Sequence, residues 1–299
     1  MHSIVTVVVF SALATTALVI GPYVWGEVIR RRRAGQPIIE YAPRRPAPWS
    51  IVELAAAIGA FFALTIAAVY LTVAPGDGKE SVAEMLNPRS LLATAAASTL
   101  ATAFAAVLVT LANRATPEDL GLSTVNLAGD ITLGAAAFAA IIGPVYMIQA
   151  LLGLLTDTRH PIIELLQQRR EPIFFIAAGI SAVVVAPIAE EFFFRVLLQG
   201  WLEKVWPRPS TLVIDVPPVD GEMTTPVEVT PPTWGPIIVS AAIFALAHLG
   251  HGPDPIPLFF LALVLGYLYA RTHRIWPGLV LHLLINGCSL LMLWLGVGS

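Results

Sequence analysis

Eight apolar stretches alternate along the chain with short polar, basic or proline-rich segments. A helix needs about 20 apolar residues to cross a bilayer, and the stretches fit that rule in order. The first runs from Ile4 to about Trp25 and ends at Arg30–Arg33. The second is about Ile51–Ala74, stopped by Pro75-Gly76-Asp77-Gly78. The third is about Leu91–Ala112 and the fourth about Ile131–Leu155. The fifth, Ile173–Trp206, is longer than one crossing needs and contains Pro187, which predicts a kinked or two-piece helix. The sixth, Gly235–Leu249, is short enough to end inside the protein. The seventh and eighth are about Ile256–Ala270 and Trp276–Leu295. Between the third and fourth, Thr116-Pro117-Glu118-Asp119-Leu120-Gly121-Leu122 predicts a short surface helix with Thr as cap, Pro in the first position and acids in the first turn. The segment 207–233 holds seven prolines and reads as an extended loop with an edge hairpin at its valines.

Composition agrees with the pattern. Apolar residues make up 57% of the 299, and charged residues only 12%, about half the share of a soluble domain. The expected fold class is all-α: a polytopic integral membrane protein of about eight transmembrane helices with a proline-rich loop insert. Two lysines against fifteen arginines, with no basic stripe interleaved with aromatics, exclude a nucleic-acid partner. The bilayer is the expected partner and the plasma (inner) membrane the expected location. Cys288 is the single cysteine; it excludes an intrachain disulfide and reads as an inert thiol on an apolar helix.

Orientation follows from lysine and arginine. With the N-terminus outside, the inner segments collect Arg30–Arg33, Arg44, Arg45, Arg114, Lys204, Arg208, Arg271 and Arg274, eleven in all. The outer segments collect Lys79, Arg89, Arg159, Arg169 and Arg170, which is five. Both termini are therefore expected on the extracytoplasmic side.

The chemistry lies in the fifth stretch, where Glu190, Glu191 and Arg195 interrupt an apolar run. Each ionisable group costs about 2.5–3.5 kcal/mol near a bilayer centre, so these must face protein or water and have partners. Glu191 and Arg195 are four apart and can pair along one helix face. Glu190 is five before Arg195, about 140° round the axis, and needs another partner. A buried ion pair that only fixes packing accounts for Glu191 and Arg195 and leaves Glu190 unexplained. His248 lies near the end of the sixth stretch, four after Phe244; His282 lies inside the eighth, four before Asn286. A lone histidine in an apolar helix is usually a packed core residue, but two of them, with an in-register asparagine and a buried Glu190, point to a shared site. Phe244 is expected to pack under His248 and orient its ring.

Glu190-Glu191-x-x-x-Arg195, then Phe244-x-x-x-His248, then His282-x-x-x-Asn286, in this order on successive helices, resembles the CPBP family of intramembrane proteases. That family comprises the CAAX prenyl protease type of endopeptidase and the bacteriocin-processing and immunity proteins. The resemblance covers roughly residues 172–288, with Pro117–Leu122 similar to an upstream segment of the family. It divides the chain into a two-span extension with an Arg- and Pro-rich linker (1–88) and a core (89–299) carrying the insert 207–233. It implies Glu190 as the base that activates water with His248, His282 and Asn286 as oxyanion donors, and Glu191 with Arg195 as a supporting pair. Peptide hydrolysis needs those parts: activated water, oxyanion donors and a proton for the leaving amine.

The resemblance leaves the metal question open, because Glu190, His248 and His282 are also a three-ligand set for Zn²⁺. No H-E-x-x-H is present, and a ligating Glu190 leaves no separate base except the paired Glu191, which favours the metal-free version. The expected activity is an intramembrane endopeptidase acting on a membrane-associated or prenylated protein or peptide. The alternative is a non-enzymatic bacteriocin-immunity or scaffold protein of the same fold. A small proton-relaying transporter is the third reading, but it calls for inverted repeats, and none is visible.

Overall fold

The computed structural model describes residues 2–72, 87–155, 171–207, 212–214, 227–229, 233–249 and 255–296. Each apolar stretch is a helix: α1 (Ile4–Arg33), α2 (Ile51–Thr72), α3 (Pro88–Asn113), α4 (Leu127–Gly153), α5 (Pro172–Val205), α6 (Trp234–Leu246), α7 (Pro255–Thr272) and α8 (Trp276–Trp294). Among the described residues seven helices are long and apolar enough to cross a membrane; α6, with 13 residues, is not. At 1.5 Å per residue α6 reaches about 20 Å, short of the hydrocarbon thickness. The chain is a polytopic membrane protein. Within the insert, β1 (Leu212–Ile214) and β2 (Val227–Val229) pair antiparallel, Val213 opposite Glu228. Residues 208–211, 215–226 and 230–232 of the insert, and the Pro75–Gly78 stop, lie outside the described residues.

Local sequence sets the helix starts. Asn87 and Ser90 form a reciprocal capping box ahead of α3, with Pro88 in the first turn. Ser50 donates from both its amide and its hydroxyl to Glu53, which opens α2 in the same way. α2 packs along α3, α1 along α4, α4 along α8, and α6 along α7. α5 runs among them, with Phe192, Phe193, Val196 and Leu197 in a core shared with Trp49, Leu54, Ala101, Ala105 and Tyr269. A second core joins Phe138 and Ile142 of α4 to Leu261, Leu265 and Leu268 of α7 and to Leu281 and Ile285 of α8.

The Thr116–Leu122 segment departs from the surface helix that its caps predict. It is a single turn, and Asp119 and Leu120 are buried. Thr116 does cap, donating from its amide (2.7 Å) and hydroxyl (2.9 Å) to Asp119 Oδ2. The turn then stops because Gly121 takes φ +71° and its carbonyl accepts the Ile275 amide at 3.0 Å. That bond draws the turn against the α7–α8 connection. Arg45 completes the arrangement with paired bonds to the Asp119 carboxylate.

Burial raises the proton affinity of Asp119, but the bonds from Arg45 and Thr116 outweigh it and hold the carboxyl down at about 2. A depressed acid contributes stability that is complete above its unfolded pKa and is lost as pH falls through the folded one. The stability gap between the wild-type protein and Asp119→Asn is therefore expected to close as pH falls from about 4 to about 2. Thermal unfolding in detergent across that range checks it; a gap that stays constant assigns the carboxylate no ionic role.

Candidate active site

Pro187 shapes the middle of α5. Residues 179–185 form a π-helical segment in which the Ala186 amide reaches back five residues to the Ser181 carbonyl. The next donor in that register is residue 187, a proline without an N–H, so the Ala182 carbonyl loses its backbone partner. Asn286 of α8 supplies the replacement, its Nδ2 donating to Ala182 O at 2.8 Å. After a short α-helical stretch, Ala186–Glu190, a second π segment spans Glu191–Gln199. The two glutamates thus sit at a change of helical register, and π segments inside helices are frequent at functional sites.

The two carboxylates face different groups. Glu190 Oε1 lies 4.0 Å from His248 Nε2, and its Oε2 lies 3.5 Å from His282 Nε2. Glu191 Oε2 lies 3.5 Å from Arg195 Nε, while its Oε1 meets His282 Nδ1 at 3.1 Å. His282 therefore bridges both acids, one on each ring nitrogen. Exposure divides the set. Glu190 and His248 keep 26% and 29% of their side-chain surface, whereas Glu191, Arg195 and His282 keep 1%, 0% and 2%. The Glu190–His248 edge of the group is therefore partly exposed, Glu191 and Arg195 lie wholly inside, and His282 is buried with its Nε2 facing Glu190.

α6 brings His248 to the site by ending early. His248 stands in the turn just beyond Leu246, and its Nδ1 donates to the Phe244 carbonyl at 2.8 Å, since a carbonyl can only accept. The rings of Phe244 and His248 lie 4.8 Å apart, and the Arg195 guanidinium sits over the Phe244 ring, 5.2 Å from its centroid. Arg195 NH1 donates to Ser240 Oγ at 3.2 Å, and that hydroxyl donates to the Phe194 carbonyl at 2.9 Å. α8 contributes closely as well: a side chain at Gly278 would place its first carbon 2.8 Å from Glu191 Oε2, so glycine there lets α8 approach the buried acid.

The residues expected at the site lie on α5, on α6 and the turn that follows it, and on α8. Glu190, His248 and His282 converge; Glu191 and Arg195 pair as the spacing predicts; Phe244 packs under His248. Asn286 is one turn from His282 on α8, with its amide engaged by α5. Two contacts go beyond the sequence reading. The Glu191–His282 bond joins helices remote in sequence and leaves no local trace. Ser240 does have one: it is four before Phe244 on one face of α6, in the same spacing that leads on to His248. Cys288 is half-buried and free. Among the described residues no three His, Cys, Asp or Glu side chains are placed to hold a metal ion together, Glu190, His248 and His282 included.

Residues 172–288 match the family model described as Type II CAAX prenyl endopeptidase Rce1-like, the span over which the motifs carry the CPBP resemblance. At the level of the family this supports a membrane-embedded CAAX-type protease. No curated protein and no solved structure gives a significant match to the chain.

Proposed function

We propose that the chain is an intramembrane endopeptidase in which Glu190, with His248, activates water against a peptide bond of a membrane-associated or prenylated protein or peptide. The observation that supports the reading is the convergence of Glu190 with His248 and His282, delivered by α5, the turn after α6, and α8, at a partly exposed edge of a buried polar group. Glu190 takes a proton from water as the hydroxyl adds to the scissile carbonyl. His248, anchored through Nδ1 on Phe244, turns Nε2 toward Glu190 and helps return that proton to the leaving amine. His282 Nε2 meets the developing oxyanion; donating there requires a proton on each ring nitrogen, with the Nδ1 proton held by Glu191. The 3.5 and 4.0 Å separations exceed hydrogen-bond reach, and catalytic contacts of this kind tighten on the substrate. Asn286 holds the Ala182 carbonyl ahead of Pro187, on the helix that carries Glu190, and has a second amide proton to offer one turn from His282.

Each step is carried by the protein's own side chains. Purified protein in lipid vesicles is expected to cleave a membrane-anchored peptide reporter, prenylated or not, and to keep full turnover after exhaustive chelation without stoichiometric zinc. Activity lost on chelation and regained with zinc would overturn the metal-free mechanism. A folded protein that cleaves none of the reporters, yet binds a membrane peptide with or without Glu190, would replace the protease with the immunity or scaffold role.

A further inference from the structure

Residues 39–50, ahead of the family match, do not run free between α1 and α2. The Ala42 amide donates to the Arg271 carbonyl (2.8 Å), and Arg271 Nε donates back to the Ile39 carbonyl (2.8 Å). His273 Nδ1 donates to the Ala42 carbonyl at 2.7 Å. Arg44 donates to the Tyr269 hydroxyl (2.6 Å) and to Glu203 Oε2 (3.0 Å). Lys204 donates to the Trp49 carbonyl at 2.8 Å, and Trp49, fully buried, donates its indole N–H to the Leu197 carbonyl of α5 at 3.0 Å. The segment presses on the backbone of α5 at Gly200, where a first side-chain carbon would stand 3.1 Å from the Trp49 ring and 3.2 Å from Arg44 NH2.

That grip reaches the site through α5 itself. Glu191, Arg195, Gln199 and Glu203 are spaced by four. In an α-helix each such step drifts about 40° around the axis; the wider i→i+5 turn of residues 191–199 winds back against that drift, and Glu191 meets Arg195 as Gln199 meets Glu203. At one end Glu191 holds His282. At the other, Gln199 Nε2 donates to Glu203 Oε1 (3.0 Å), and Glu203 is held by Arg44.

We propose that residues 39–50 form a strap that fixes the rotation of α5 about its axis, making Arg44 and Trp49 positioning residues for Glu190. The proposal rests on the protease reading of the site. A catalytic group must be held within about 0.5 Å and 10–20° of its working geometry, and a misplacement of about 1 Å costs on the order of a hundredfold in rate. A carboxylate on a turning helix moves by that order for a modest rotation.

The test uses the full-length protein in vesicles. Arg44→Ala is expected to lower kcat about 10- to 100-fold with little change in KM and to alter the pH–rate profile, and Arg44→Lys to restore part of kcat. An unchanged kcat and profile in a folded Arg44→Ala protein overturns the proposal. The Cβ of Ala47 lies 3.7 Å from the position of a Cβ at Gly200, a separation a disulfide spans. The A47C/G200C pair in a Cys288→Ser background therefore locks the strap to α5, and it decides the matter even where Arg44→Ala does not fold. Oxidised A47C/G200C that turns over as fast as its reduced form supports a strap that stays docked. Activity lost on oxidation and recovered on reduction shows that the strap must lift, and overturns fixed positioning. Hydrogen exchange of residues 191–200 is read in the same preparations. Faster exchange in the Arg44 variants supports the strap and unchanged exchange overturns it, whether or not a peptide is cleaved; wild-type protein that cleaves nothing overturns the protease reading alone.

Discussion

Glu190→Ala is expected to lower peptide cleavage by at least about a thousandfold, within the 10²–10⁴ range for a positioned general base, while the protein inserts and folds as before. The structure separates the two effects. Glu190 keeps a quarter of its side-chain surface, and its oxygens stand 3.5 and 4.0 Å from the histidines, so its removal breaks no close contact with either ring. Glu190→Gln keeps the shape and removes the base, and is expected to be nearly as inactive. His248→Ala is expected to be milder, about a hundredfold, because Glu190 survives with its second oxygen still facing His282. Turnover rates on a membrane-anchored reporter, beside circular dichroism and thermal unfolding of the same preparations, make the check. A well-folded Glu190→Ala protein that still turns over removes the assigned role.

Arg195→Met carries the largest expected loss of stability, about 3–5 kcal/mol, the cost of breaking a buried ion pair from one side. Arg195 and Glu191 are 0% and 1% exposed, 3.5 Å apart, and enclosed by Phe244, Ser240 and Gly278. Removing the guanidinium leaves Glu191 with His282 as its remaining close polar neighbour and leaves Ser240 without its donor. The double variant Glu191→Gln/Arg195→Met deletes both charges and is expected to recover part of the loss, since it is the unpaired charge that costs most. Its activity is expected to stay low, because His282 then lacks the carboxylate on Nδ1. Equilibrium unfolding of the set in detergent tests this; an Arg195→Met protein as stable as wild type would leave the pair without a structural role.

Much of this was legible in the sequence, for a physical reason. A membrane span must be a long, nearly uncharged run, so the seven long helices announce themselves and α6 stands out as too short. Within them, ionisable groups are so costly that each one marks a site or a clamp, which is why Glu190, Glu191, Arg195, His248 and His282 could be named before any geometry. Four-residue spacing then paired Glu191 with Arg195 and seated Phe244 under His248. The Thr116–Leu122 turn shows where such local rules end. Its caps are correct, but its fate is set by Gly121 and by the α7–α8 connection 150 residues away. Arg44 and Trp49 show the same limit. In a Pro- and Arg-rich stretch they read as linker, because their acceptors lie on α5 and α7.

Local pattern alone carries the membrane setting, the helices and the ionisable residues that meet around α5, because bilayer thickness, helical period and the cost of buried charge act on neighbours in sequence. Helix packing settled three further contacts. It set His282 between both glutamates, turned Asn286 to the carbonyl that Pro187 leaves unpaired, and bound the 39–50 segment to the far end of α5. Each is a contact between groups more than 90 residues apart, chosen by how the helices pack rather than by what any one of them contains.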